Sequence, residues 1–137
     1  VSQTLQNLPE TYSWAGFTLD SSGTYLTAAQ YRTNSSSYNG QIYYSQDAGS
    51  TWEVSNAPAL GYSGIAGSSS GAVLVAIGYF LFPYVSTDYG STWLKKTGPQ
   101  STGSVAISGN GQCMAYVNVD TGISYSSNQG ASWSTVG

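Results

Sequence analysis

The chain of 137 residues has no histidine, one cysteine, three basic and six acidic side chains, and a net charge of −3. Each shortage excludes something. Without histidine there is no imidazole base, and no Gly-x-Ser-x-Gly sequence is present, so nucleophilic hydrolase chemistry has no players. A lone Cys113 rules out an intrachain disulfide framework and a cysteine metal site. Its strand-like surroundings, Gln112 to Val117, make it an expected small buried hydrophobe. Lys95-Lys96 is too short for a basic patch, so nucleic acid is not an expected partner. No ligand cluster has metal spacing, and no cofactor is expected. The longest apolar run, from Ala72 to Val85, is broken by Gly78 and Pro83 and falls short of the ~18 residues of a membrane span. The first residue is Val1 and no leader is visible, so the chain is expected to be processed or a piece of something longer.

Tyrosine (12 residues), glycine (17 residues) and serine take the place of charge. That mixture suits twisted strands with tight turns, and it can build stacking and hydrogen-bonding surfaces for neutral polymers such as glycans.

One octapeptide recurs. Ser45-Gln46-Asp47-Ala48-Gly49-Ser50-Thr51-Trp52 returns as Ser86-Thr87-Asp88-Tyr89-Gly90-Ser91-Thr92-Trp93 after 41 residues, and after another 40, worn down, as Ser126-Ser127-Asn128-Gln129-Gly130-Ala131-Ser132-Trp133. A fixed period in this range marks a repeat architecture. Around each copy lies the same order. An apolar stretch enters a Ser/Gly turn ending at Gly23, Gly71 or Gly111. A buried-type strand follows (Tyr25 to Tyr31, Ala72 to Phe80, Cys113 to Val119), then a third strand running into the octapeptide, then a fourth opened by the tryptophan. Turn signals about every ten residues and no helical period predict an all-β chain.

In the octapeptide the acidic side chain accepts hydrogen bonds from backbone N–H groups of its own turn. The glycine allows a positive φ, and the tryptophan packs its apolar face on the turn. Asn128 keeps the acceptor and drops the charge, which a turn tolerates and acid/base catalysis does not. From turn glycine to octapeptide the second and third copies span 17 residues and the first spans 24, so an insertion lies within Arg32 to Gly40. Insertions of this kind map to exposed loops, often on a binding face. Tyr31, Arg32, Tyr38, Tyr43 and Tyr44, on that loop and beside it, are the candidate glycan-binding residues. Asn34-Ser35-Ser36 forms a glycosylation sequon at Asn34.

Ser-x-Asp-x-Gly-x-Thr-Trp resembles the Asp-box, or bacterial neuraminidase repeat. It occurs in β-propellers such as sialidases, oligoxyloglucan-type glycoside hydrolases, sortilin-type receptor domains and a photosystem II assembly factor. The resemblance implies three propeller-type blades of four antiparallel strands. It also implies structural roles for Asp47, Asp88 and Asn128 as turn acceptors, for Gly49, Gly90 and Gly130 as turn glycines, and for Trp52, Trp93 and Trp133 as packing aromatics, away from the mouth of any active site.

The residues argue against sialidase chemistry. Sialidases hold the substrate carboxylate with three arginines, and Arg32 is the chain's single one. Glycoside hydrolysis needs two flanking carboxyl groups. Outside the octapeptides Glu10, Asp20, Glu53 and Asp120 remain, each with a plain turn or surface explanation. The chain is therefore expected not to be an enzyme.

Three blades are fewer than the four to eight of a closed propeller. Gln3 to Pro9 aligns with Trp52 to Pro58 and Trp93 to Pro99, so the chain opens with an extra, orphan fourth strand (residues 1–13). The blades then run over 14–58, 59–99 and 100–137. The expectation is a non-enzymatic extracellular structural or binding module that joins other copies of itself in a ring or fibre, with Leu5 and Leu8 seated between blades and carbohydrate as ligand. The alternative is a fragment of a larger Asp-box propeller, glycoside hydrolase or sialidase-like.

Overall fold

The computed structural model describes residues 8, 13–33, 36–120 and 122–137. Leu5, Glu10, Asn34 and nearly all of the expected orphan strand lie outside them. The described residues form three antiparallel four-stranded sheets. Sheet 1 comprises β1 (Ser13–Leu19), β2 (Leu26–Arg32), β3 (Ile42–Ser45) and β4 (Glu53–Val54). Sheet 2 comprises β5 (Tyr62–Gly67), β6 (Leu74–Gly78), β7 (Tyr84–Ser86) and β8 (Leu94–Lys95). In sheet 3 are β9 (Ser101–Ile107), β10 (Met114–Asn118), β11 (Ile123–Ser126) and β12 (Ser134–Val136). Within each sheet the strands lie side by side in chain order. The all-β, three-blade architecture expected from the repeat is the one the chain forms.

Side chains alternate across a strand, so each sheet has two faces, and sheet 2 turns one toward sheet 1 and the other toward sheet 3. Between sheets 1 and 2, Ala29, Ile42 and Ala57 meet Tyr62, Leu74, Ala76 and Trp93. Between sheets 2 and 3, Val73, Val75 and Val85 meet Met114, with Val105, Ile107 and Trp133 packed around them. Each fully buried aliphatic side chain here contributes about 1.5–3 kcal/mol. β5 lies against both β1 and β9, which makes the first strands the inner ones. β6 has both faces covered and is buried at every position. Cys113 corrects an expectation: it is exposed, because among the described residues no sheet covers the far face of sheet 3.

The octapeptide turns repeat to within tenths of an ångström. The Ser45 hydroxyl donates to Asp47 Oδ1 at 2.8 Å and accepts from the Gly49 amide at 2.9 Å. Asp47 in turn accepts from the Thr51 amide at 2.8 Å and the Thr51 hydroxyl at 2.5 Å. Ser86, Asp88, Gly90 and Thr92 repeat all four bonds. In the third copy Asn128 Oδ1 accepts from the Ser126 hydroxyl and the Ser132 amide, at 2.9 and 3.0 Å. There the last bond reverses: Asn128 Nδ2 donates to Ser132 Oγ at 2.9 Å. Two consecutive residues take positive φ, 58° and 83° at Ala48 and Gly49, 62° and 88° at Tyr89 and Gly90, 56° and 77° at Gln129 and Gly130. This is the type I′ geometry that matches strand twist, and it demands glycine at only one of its two central positions here. Trp52 and Trp93 are buried beside their turns and Trp133 is half-buried, on the least covered sheet. The fourth strands stop at Val54 and Lys95, short of Pro58 and Pro99, because the chain leaves the edge to brace the next sheet: Asn56 Oδ1 accepts from the Trp93 amide at 2.8 Å.

The turns between first and second strands sit at the same end. Asp20 accepts from the Ser22 hydroxyl and amide at 2.5 and 3.1 Å and from the Tyr25 amide at 2.9 Å. Ser68 and Ser108 hold the corresponding turns, each accepting one amide through its hydroxyl. The turns also link the sheets: the Ser21 amide donates to the Ser69 carbonyl and the Ser69 amide to the Gly109 carbonyl, both at 2.8 Å. The Ser22 hydroxyl and the turn amides hold the Asp20 carboxyl down at about 2.

Asp88→Ala should cost about 1–3 kcal/mol by denaturant unfolding, since it strands turn amides. Asp88→Asn should cost clearly less, and Trp93→Ala should cost about 3–5 kcal/mol. Because Asp20 titrates lower in the folded chain than its ordinary 3.8, its stabilisation is complete above that pH and is lost as pH falls toward 2. Melting temperature followed from pH 5 to pH 2 should therefore fall less steeply in Asp20→Asn than in the parent chain.

Candidate functional site

The connections between second and third strands lie at the end opposite the octapeptide turns, and the inserted segment is one of them. Its base is fastened. The Gln30 amide donates to the Gln41 carbonyl at 2.9 Å, the Gln41 amide donates to Gln30 Oε1 at 3.1 Å, and the Thr33 hydroxyl donates to Asn39 Oδ1. Gly40 is obligatory there, because a Cβ would stand 1.7 Å from the Gln30 carbonyl oxygen.

The loop brings three of the five candidate residues together. Tyr31 and Tyr38 meet edge to face with centroids 5.2 Å apart. Arg32 stacks on both rings, 5.1 Å from Tyr31 and 4.5 Å from Tyr38, and donates from Nη2 to the Tyr38 hydroxyl at 3.1 Å. Tyr79 joins from sheet 2, 6.1 Å from Tyr31. Tyr31, Tyr38, Gly61, Tyr79 and Phe80 line a cleft of about 390 Å³. Gly61 lets Tyr38 descend, since a Cβ there would lie 3.0 Å from the Tyr38 Cβ.

Tyr79 and Phe80 are the residues that sequence reasoning missed. They stood at the end of an expected strand, whereas β6 stops at Gly78 and both belong to the turn beyond it. Phe80 has a φ of 59°, an unfavourable backbone state for a bulky residue, costing about 1–3 kcal/mol. Its amide donates to the Ser101 carbonyl at 2.9 Å, which fixes that state and turns the ring out into solvent, 66% exposed. The sequence signal was Tyr79-Phe80-Leu81-Phe82-Pro83, an apolar run at a position where the other copies carry loop residues.

Tyr43 and Tyr44 do not reach the cleft. They are buried on opposite faces of β3: Tyr43 meets Trp14 at 5.7 Å, and the Tyr44 hydroxyl donates to Glu53 at 2.7 Å. Burial pushes both phenols upward.

The described carboxylates are dispersed among turns and strand surfaces. Asp47 is held below the usual carboxylate range first by the Thr51 hydroxyl. At Asp88 partial burial acts upward, and bonds from Thr92 and Ser86 more than offset it. Glu53 is the acceptor of Tyr44, and Asp120 lies in the turn after β10. Among the described residues no group of three or more cysteine, aspartate or glutamate side chains is placed to hold a metal ion.

No protein-family model matches the chain, and no curated protein matches it. Solved structures do. A structure of "YCF48 bound to D1 peptide" aligns with a TM-score of 0.70 and 15% identity, covering 98% of this chain and 42% of that one. The Niastella koreensis GH74 enzyme aligns with a TM-score of 0.70 and 21% identity, covering 94% of this chain and 18% of that one. For the Myceliophteria thermophila Cps50 (Swd1) β-propeller domain the values are 0.66 and 8%, covering 99% and 41%. The chain thus spans less than half the length of each of these structures. At such identities the likeness is one of fold, and the fold is that of β-propeller blades.

Proposed function

We propose that the chain is a non-catalytic module of an Asp-box β-propeller that works outside the cell, joins other copies of itself, and binds carbohydrate in the loop-face cleft. The cleft carries the reading. Exposed Tyr38, Tyr79 and Phe80 offer flat apolar faces to the C–H faces of sugar rings, and their neighbouring hydroxyls answer sugar hydroxyls. The lining of the cleft is uncharged, so the ligand that fits is a neutral glycan. The octapeptide turns that resemble Asp-boxes brace the sheets at the far end.

A second reading makes the chain a section of a larger glycan-active Asp-box propeller. It draws on the fold likeness to the Niastella koreensis GH74 enzyme over 94% of this chain and 18% of that one. On this reading the flanking carboxylate pair that glycoside hydrolysis generally uses would come from the rest of the propeller, since the described carboxylates are dispersed.

Binding to neutral oligosaccharides should be measured on an array and by calorimetry, with sugar release assayed beside it. Tyr38→Ala and Tyr79→Ala should each weaken binding several-fold, as loss of about 1 kcal/mol of stacking does, and removal of residues 33–39 should abolish it with the fold intact. No sugar should be released from β-glucans or sialosides. Binding unchanged in the Tyr38→Ala/Tyr79→Ala double variant would remove the cleft from consideration. Turnover lost on replacing Glu10, Asp20, Glu53 or Asp120 would make the chain an enzyme.

A further inference from the structure

The far faces of sheets 1 and 3 carry the counterparts of the residues that fill the junctions between the sheets. Counting from each turn glycine and each octapeptide, Ala29 and Ile42 of sheet 1 correspond to Val117 and Ile123 of sheet 3. The first pair is fully buried against Leu74, Ala76 and Trp93, whereas Val117 and Ile123 are 39% and 50% exposed. On the other side, Leu74, Ala76 and Trp93 correspond to Leu26, Ala28 and Trp52 of sheet 1. Those three line an apolar cleft of about 490 Å³ with Phe17, itself 67% exposed, where its counterpart Ile65 is packed into the junction.

The glycines give the register. A Cβ at Gly71 would stand 3.0 Å from the Cβ of Tyr25 in the preceding sheet, and one at Gly111 would stand 2.8 Å from that of Val73. Gly23, the first of the series, meets nothing within 4 Å. Cys113 holds the position of Tyr25 and Val73 on the last sheet, and it is exposed.

We infer that sheet 3 of one copy packs on sheet 1 of a second copy, head to tail, with Cys113 over the partner's Gly23 and with Val117 and Ile123 in the cleft floored by Leu26, Ala28 and Trp52. This rests on the reading that the chain joins other copies of itself, and it names the faces that do so. The occupant is a second copy because one chain carries both halves, each matching the junctions inside it. The Ser21–Ser69–Gly109 sequence of backbone bonds continues across the contact, from the Gly109 amide to the partner's Ser21 carbonyl. Leu8 does not oppose it. It lies half-buried on the Trp52 cluster, as Ala57 does on Trp93, and so occupies the place of a segment leaving the fourth strand of a preceding sheet.

The test is a paired cross-link. In Gly23→Cys, mild oxidation with diamide should join Cys113 to the introduced thiol of another copy. Dimers and larger species should then appear on non-reducing gels and vanish in Gly23→Cys/Cys113→Ser, because the equivalent pairs inside the chain, 3.0 and 2.8 Å apart, place the two Cβ atoms a small shift from disulfide distance. Since φ at Gly23 is 74°, a second variant guards against misfolding. Val117→Glu/Ile123→Glu, at surface positions of the single chain, should sediment as a 14.3 kDa monomer where the parent sediments as a multiple of that mass. A parent monomeric at high concentration would end self-association altogether. A multimeric parent with no cross-link between Cys113 and the introduced thiol, and no response to the glutamates, would end this pairing alone.

Discussion

A β-sheet whose two faces are both apolar has to be covered twice. β6 shows the satisfied state, Leu74 to Gly78 buried at every position, with Ala29 and Ile42 on one side and Met114 on the other. β10 carries the same pattern and alternates buried with partly exposed, because one of its faces is bare. Much else in the chain serves that stacking. Glycines at 71 and 111 let the turn backbones approach the preceding sheet within a methyl group's breadth. Asn56 reaches across to the Trp93 amide, and Ser101 binds the Gly78 and Leu81 carbonyls from the next sheet, at 2.8 and 3.0 Å. The stack is a run of identical joints.

The polar residues solve a different problem at the ends of the sheets. Tight turns leave backbone amides with no strand partner, and a buried unpaired amide costs more than a good hydrogen bond returns. Ser45, Asp47 and Thr51 close such a cage, and so do their counterparts in sheet 2. Asn128 shows that the cage needs an acceptor for amides and a hydroxyl neighbour, with the last bond running in either direction. The same logic puts Asp20, Ser68 and Ser108 in equivalent turns, where a carboxylate and a hydroxyl are interchangeable. Scaffold work at one end leaves the opposite end free to carry the aromatic cleft.

Much of the scaffold was legible because it is encoded locally and three times over. The period placed Asp47, Asp88 and Asn128 in one role, and turn glycines marked the sheet ends. What escaped depends on long-range geometry. Tyr79 and Phe80 have high strand propensity, and nothing beside them announces that Ser101, from the next sheet, pulls Phe80 into a left-handed turn. Tyr43 and Tyr44 read as surface tyrosines near a loop, yet the register of β3 buries one on each face. Cys113 read as a core residue, and its counterpart Val73 is one. The difference between them is the presence of a neighbouring sheet, which no local pattern records.

Amide hydrogen exchange, followed by mass spectrometry at low and at high protein concentration, tests most directly whether coverage of sheet faces governs this structure. The account predicts that β6 exchanges slowest at both concentrations, and that β10 (Met114–Asn118) is faster when dilute and slows toward β6 when concentrated. A β10 as protected as β6 at dilution would contradict it, whereas exchange that ignores concentration would count only against the pairing of copies.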